Sequence, residues 1–223
     1  MKRFLPILIG FLLLVSIANA GVIHVIGSGV AGATGIFDDF SGDLSKWTSV
    51  YGTFTIEAGK MGTTTKQEYL RNNYTSQAVG SNDQYAKATM TWSGSASAVG
   101  LIFRSNASGN CYVVYVYNGT ELQWKQLTAS GTLGGSINSD TCSLSSGDVL
   151  AVQITGADAA TECKVWINPD GDPGDPPSEW GDADFTFSDG NNRDINTGSY
   201  VGINFWEHTT GTVNADDFYG GAA

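Results

Sequence analysis

Ala98-Val99-Gly100-Leu101-Ile102-Phe103-Arg104 and Cys111-Tyr112-Val113-Val114-Tyr115-Val116-Tyr117 are the densest apolar runs downstream of the N-terminus, and the stretch 105–110 between them is polar. Two runs rich in Val, Ile, Phe and Tyr on either side of a short polar turn predict a β-hairpin. Their apolar density is that of central strands in a sandwich. Asn118-Gly119 follows, a dipeptide suited to a tight turn because both residues tolerate positive φ, and 120–127 predicts the next strand.

The same reading extends in both directions. In 85–92, Ala86, Ala88, Met90 and Trp92 alternate with Tyr85, Lys87, Thr89 and Thr91, the period of a strand with two unlike faces. Further strands are predicted over 148–154, 162–167, 200–206 and 212–219. No segment carries a sustained helical stripe, and most of the 29 glycines fall between the strand-like runs. Many short strands at short spacing predict an all-β fold: a two-sheet antiparallel β-sandwich or jelly roll.

The chain starts differently. Lys2 and Arg3 precede an apolar run from Phe4 to Ile17, which ends in Ala18-Asn19-Ala20. A positive start, a short apolar stretch and a small-x-small end predict a signal peptide over 1–20 and hence a secreted, extracellular or cell-surface protein. The run is short for a membrane span, so no span is expected after cleavage. Residues 21–35 form an apolar, glycine-rich leader, and 36–220 the sandwich domain. Gly27-Ser28-Gly29-Val30-Ala31-Gly32 in the leader matches a dinucleotide fingerprint. That pattern works only where a helix N-terminus follows to receive the pyrophosphate, and no helical period follows here.

Net charge is −11, and becomes more negative once Lys2 and Arg3 leave with the signal. An acidic surface repels phosphate backbones, so nucleic acid is not an expected partner. Only 15% of residues are charged. A surface of neutral polar groups and aromatics suits sugars, and clustered acids suit divalent cations. Three cysteines, Cys111, Cys142 and Cys163, predict one disulfide and one leftover thiol in an oxidising compartment, with the pair open. Without a Cys-x-x-Cys, neither zinc nor redox chemistry is supported. The stretch from Asn168 to Gly198 holds every proline except Pro6, with eight acids, and reads as a long functional or mobile loop.

Phe37-Asp38-Asp39-Phe40 with Trp47, the Gly52–Met61 segment, Val99–Arg104 followed by Gly109–Tyr112, and Ala215-Asp216-Asp217-Phe218 occur in the order seen in concanavalin A-like lectin/glucanase (laminin-G-like) domains. The resemblance spans about residues 36 to 220. It implies a jelly roll whose first and last strands lie side by side. That pairing would gather Asp38, Asp39, Asp216 and Asp217, whose carboxylates repel unless a cation or solvent screens them. Calcium takes many oxygen ligands in irregular geometry, and the family often carries a structural calcium at this end, so these four are the expected metal residues. Asp170-Gly171-Asp172-Pro173-Gly174-Asp175 spaces carboxylates alternately but lacks the distal glutamate of an EF-hand loop, and reads as an acidic turn.

Hydrolases of this fold carry paired carboxylates on one strand, in Glu-x-Asp patterns, so that acid and nucleophile flank the glycosidic bond. No such pattern occurs here. The two histidines, His24 and His208, build no triad, and no Gly-x-Ser-x-Gly elbow exists. The expectation is a non-catalytic carbohydrate-binding, lectin-like module with a glycan or polysaccharide partner. Sugar recognition needs aromatic faces for pyranose rings and amides for hydroxyls. Tyr200, Asn204 and Trp206, which share one strand face, are the first candidates; Arg104, Tyr115, Trp124 and Trp180 complete the set. A glycosidase or polysaccharide lyase of the same fold is the catalytic alternative. A coat or filament protein is the structural one, self-associating by donating residues 21–35 as a strand.

Overall fold

A computed structural model describes residues 35–223, apart from 64–71, 95–96, 107, 129–131, 173, 191–194, 196–197 and 208–211; for 72–77 and 207 it describes the backbone alone. The expected signal peptide and all of the expected leader but Gly35 lie outside the described residues. No described helix is long and apolar enough to cross a membrane.

In chain order the strands are β1 (Ile36–Asp38), β2 (Thr48–Tyr51), β3 (Phe54–Glu57), β4 (Lys60–Thr63), β5 (Asn72–Ala78), β6 (Gln84–Trp92), β7 (Ser97–Ser105), β8 (Cys111–Tyr117), β9 (Glu121–Leu127), β10 (Leu133–Thr141), β11 (Val149–Thr155), β12 (Glu162–Ile167), β13 (Phe185–Ser188), β14 (Tyr200–Glu207) and β15 (Val213–Ala222). They form two antiparallel sheets. One has seven strands in the order β10-β9-β8-β7-β14-β5-β2. The other has eight, β13-β12-β11-β6-β15-β4-β3, with β1 added along β15.

The hairpin that opened the reading is β7–β8, from Ala98 opposite Tyr117 to Phe103 opposite Tyr112. Its turn is tied by Asn106, whose Oδ1 accepts the Ser108 and Asn110 amides. In the next turn Asn118 and Gly119 both take positive φ. A Cβ on Gly119 would sit 2.4 Å from the Leu144 carbonyl oxygen, so only glycine fits.

The core lies between the sheets. From the seven-stranded sheet come Val99, Leu101, Phe103, Val114, Val116, Leu122, Trp124, Ile203 and Phe205; from the other come Ala86, Ala88, Met90, Leu150, Val152, Val165 and Phe218. The outward faces are also partly covered. Ala98, Ile102, Cys111, Val113, Tyr115 and Leu127 form a second buried cluster on the outside of the seven-stranded sheet. This explains why β7 and β8 are apolar at nearly every position rather than at alternate ones.

The first and last strands pair as the resemblance implies: Ile36 faces Gly220, Phe37 faces Tyr219 and Asp38 faces Phe218. The proline-rich stretch is held against the outside of the eight-stranded sheet. Trp180 is fully buried there, edge-on to Trp166 at 5.2 Å and Tyr85 at 5.7 Å between ring centres. Its indole N–H donates to the Asp175 carbonyl, and that of Trp166 to the Gly181 carbonyl. Tyr85 and Lys87, on the polar side of the β6 alternation, are therefore buried as well.

The three cysteines are all free, which corrects the expected disulfide. Cys163 lies in the core between the sheets, Cys111 in the cluster on the outside of one sheet, and Cys142 at the margin, half-buried. Burial raises all three thiols, that of Cys142 to about 11.

Candidate functional site

Strand register puts four outward positions of the seven-stranded sheet in one row: Trp206, Ala98, Tyr117 and Glu121. The next row is Asn204, Gly100, Tyr115 and Gln123. On β7 the residues in these rows are Ala98 and Gly100, the smallest available. Strands two apart in a sheet are separated by about 10 Å. Over Ala98, the rings of Tyr117 and Trp206 nevertheless come to 5.5 Å at an interplanar angle of 33°. The glycine is obligatory: a Cβ on Gly100 would lie 2.5 Å from the Val114 carbonyl oxygen and 2.6 Å from the Tyr115 Cβ.

Polar groups border the aromatic pair. The Tyr115 phenol donates to the Gln123 Oε1, and the Gln123 amide donates to the Glu121 carboxylate. Lys125 Nζ stands 6.0 Å from the centre of the Tyr115 ring. Glu121 is exposed, and Tyr117, Gln123, Lys125 and Trp206 are half-buried. Together they offer a flat aromatic face, an acceptor and an amide within two rows, and an ammonium on the next, where Lys125 faces Val113.

The residues anticipated from sequence divide. Trp206 is partly exposed on the outward side and Tyr200 is partly exposed beyond the register shift, whereas Asn204 is fully buried and Tyr115 nearly so. Asn204 and Tyr115 thus stand under cover and do not line an open groove. Trp124 is corrected by parity: Leu122 and Trp124 point into the core, Trp124 against Tyr112, and the outward residues of β9 are its neighbours Glu121, Gln123 and Lys125. Those three and Tyr117 were absent from the anticipated set, although the alternation of polar residues around Leu122 and Trp124 marks them. Trp180 is corrected too, being buried under its own loop.

Arg104 is corrected for a different reason. Alternation along β7 would put it outward after Gly100 and Ile102. A register shift against β14, between Tyr200 and Gly202, and a positive φ of 51° at Arg104 mark a bulge that re-aims the side chain. It is fully buried at one end of the sandwich. Its guanidinium donates to the Asn82 and Gly156 carbonyls and the Thr161 hydroxyl, and pairs with Asp83 at 3.6 Å. Burial lowers its pKa, and the neighbouring Tyr112, Asp83 and Asp189 oppose that.

At the paired first and last strands, Asp38 is buried with both oxygens used: Oδ1 accepts the Phe40 amide and Oδ2 the Trp47 indole. It is therefore poorly placed to give an oxygen to a metal. Asp39 accepts from Ser41, and Asp216 pairs loosely with Lys60 at 3.9 Å. Asp217 sits in a bulge with φ 50°. Its carboxyl is raised by burial first, then by Asp216 and Asp39. Among the described residues no three acidic, histidine or cysteine side chains converge as a ready ligand set. Asp39, Asp216 and Asp217 still form a repelling group that a cation would relieve.

Of the acids in the seven-stranded sheet, Glu121, Asp140 and Glu207, only Glu121 falls on the two outward rows. A glycosidase needs two carboxylates about 5–10 Å apart.

No family model matches the chain, and no curated protein matches it by sequence. Solved structures do match. A carbohydrate-binding module, CBM66 from Bacillus subtilis, is similar with a TM-score of 0.56 at 14% identity over 79% of this chain and 96% of its own. A β-1,3-1,4-glucanase (lichenase) derived from a mouse hindgut metagenome has a TM-score of 0.54 at 10% identity, covering 85% of this chain and 99% of its own. The Crh5 transglycosylase has a TM-score of 0.58 at 11% identity, covering 85% and 84%. At such identities the common element is the fold, and this chain has the concanavalin A-like jelly-roll fold.

Proposed function

We propose that the chain is an exported, non-catalytic carbohydrate-binding module that receives a glycan on the outward face of its seven-stranded sheet. The observation that carries this is the Tyr117–Trp206 pair beside Glu121, Gln123 and Lys125. Aromatic rings take the apolar face of a pyranose, and the amide, carboxylate and ammonium take its hydroxyls. The presence of a carbohydrate-binding module and sugar-active enzymes among the similar folds supports a carbohydrate partner. Among the described residues Glu121 is the single acid on the two outward rows, which favours binding over hydrolysis.

Affinity electrophoresis through gels containing plant, algal and bacterial polysaccharides tests the reading. Retardation by at least one polysaccharide, lost in Trp206→Ala and Tyr117→Ala, is expected, with no release of reducing ends. Mobility unchanged across the panel overturns it, and release of reducing ends that disappears in Glu121→Gln transfers it to the catalytic alternative.

Calcium belongs to the same proposal as a structural ion, held by Asp39, Asp216 and Asp217. Its role would be to neutralise their repulsion where β15 bulges. Calorimetric titration after chelation checks it: no heat and no rise in melting temperature removes the ion.

A further inference from the structure

The outside of the eight-stranded sheet carries a pocket that the reading above does not use. It has a volume of about 130 Å³ and is lined by Lys87 and Thr89 of β6, Asp217 and Tyr219 of β15, Val149 of β11, and the start of the proline-rich loop. We propose that this pocket is a second saccharide site, taking one neutral hexose unit.

Size decides first. Pockets for extended or drug-sized ligands run to about 300–1,000 Å³. This one has room for a single ring.

Chemistry decides next. Lys87 is 5% exposed, and its ammonium donates to the Asp172 carbonyl at 2.9 Å. An ammonium has three protons to donate, and a buried one is costly unless they find acceptors. Its nitrogen also lies 5.2 Å from the Trp180 ring centre and 5.6 Å from that of Tyr219. The Asp217 carboxylate and Thr89 hydroxyl add acceptors and a donor to the same wall. Donors and acceptors of opposite sign in one small pocket suit hydroxyl groups, which do both. Inside the pocket an anion would meet the Asp217 carboxylate, and a cation other than the structural ion proposed above would meet the Lys87 ammonium, so neither is favoured as the pocket's ligand.

An independent observation points to a ligand with an apolar face. Phe37 is 43% exposed, the one large hydrophobic side chain so exposed among the described residues. It stacks on Tyr219 with ring centres 4.5 Å apart and planes at 31°. Tyr219 lines the pocket, and Phe37 lies against it from the neighbouring strand β1, so this sheet also presents an aromatic pair beside its candidate site. A pyranose uses both features together: an apolar face against Tyr219 and its rim of hydroxyls toward Lys87, Asp217 and Thr89.

The site is separate from the face of the seven-stranded sheet and does not rest on it. The test follows tyrosine rings labelled with carbon-13 by NMR during titration of the whole chain with D-glucose, D-galactose and D-mannose. Tyr219 and Tyr117 report the two sheets in one experiment and are assigned with Tyr219→Phe and Tyr117→Phe. A saturable shift of Tyr219 with at least one hexose is expected, in the millimolar range usual for one sugar ring, with Thr89→Val and Lys87→Met each weakening it about tenfold or more. If Lys87→Met does not fold, Thr89→Val, a near-isosteric change at a half-buried position, carries the comparison alone. A static Tyr219 with all three sugars overturns the proposal whatever Tyr117 does. A Tyr219 shift of undiminished affinity in Thr89→Val overturns it as well. A Tyr219 shift with Tyr117 static supports it and leaves the other face to be judged by the gel assay.

Discussion

The indole N–H of Trp47 donates to the Oδ2 of Asp38 at 2.8 Å, nine residues back along the chain. The other oxygen of Asp38 holds the Phe40 amide, so one buried carboxylate fixes both the end of β1 and the return of the chain. Trp47 then packs against Phe40 and, edge-on at 5.0 Å, against Phe218 of the last strand. Asp38→Ala leaves two buried N–H groups bare, each costing about 1–3 kcal/mol. The expected outcome is a loss of that order in urea unfolding, equal with and without calcium. A loss that appears only when calcium is present would give Asp38 a metal role instead.

Arg104→Met is also expected to destabilise. It strips donors from the Asn82 and Gly156 carbonyls and from Thr161, at one end of both sheets. Thr161 is buried and its loss of a partner costs about 1–3 kcal/mol, whereas Asn82 and Gly156 are exposed and water can replace the guanidinium there. Denaturant unfolding measures it. Polysaccharide retardation by the folded fraction should be unchanged, because the side chain is buried away from the outward rows.

The sequence shows the sandwich, its central hairpin and the pairing of its two ends, because those follow from period and from turn residues. It shows less of the site, for three physical reasons. One is parity: Trp124 and its neighbours Gln123 and Lys125 lie on opposite faces of one strand, and only the polar alternation around Leu122 and Trp124 separates a packing indole from a binding one. Another is the bulge at Arg104, which moves a side chain to the other face without leaving any mark in the alternation. The third is cover: Trp180 looks like an available aromatic until its own loop folds it against Trp166 and Tyr85. The edge strand β10, Leu133–Thr141, is rich in Gly, Ser and Asn and has no strand signature; it exists because β9 offers it a partner.

Asp217 provides a pH test. Its folded-state pKa is raised, so the folded state holds the proton more tightly than the unfolded state does. Its contribution favours folding below the unfolded value of 3.8 and is lost as pH rises through the raised folded value. Asp217→Asn should therefore raise the melting temperature at neutral pH, and the gain should vanish in acid. Thermal unfolding at several pH values checks the sign. Saturating calcium should narrow the gap at neutral pH by screening the wild-type carboxylates.

The thiols should be silent. Cys111 and Cys163 are fully buried, and burial holds the Cys142 thiol at about 11, far from a reactive thiolate at neutral pH. A chromogenic disulfide reagent is expected to titrate three thiols in denaturant and to react slowly, at Cys142 alone, in the native protein. Fewer than three thiols in the denatured, unreduced chain would mean that a disulfide forms after all.

The neighbouring of β1 and β15 has a consequence for engineering. Where Ile36 faces Gly220, the two ends of the domain come within the width of one antiparallel pair, about 5 Å. A domain whose ends meet can be spliced into a surface loop of a host protein without prising that loop apart. It can also be cut at an exposed turn and rejoined through a short linker between its old ends. Grafted that way, it would hang as a side branch from its host, with the outward rows of the seven-stranded sheet turned away from the splice.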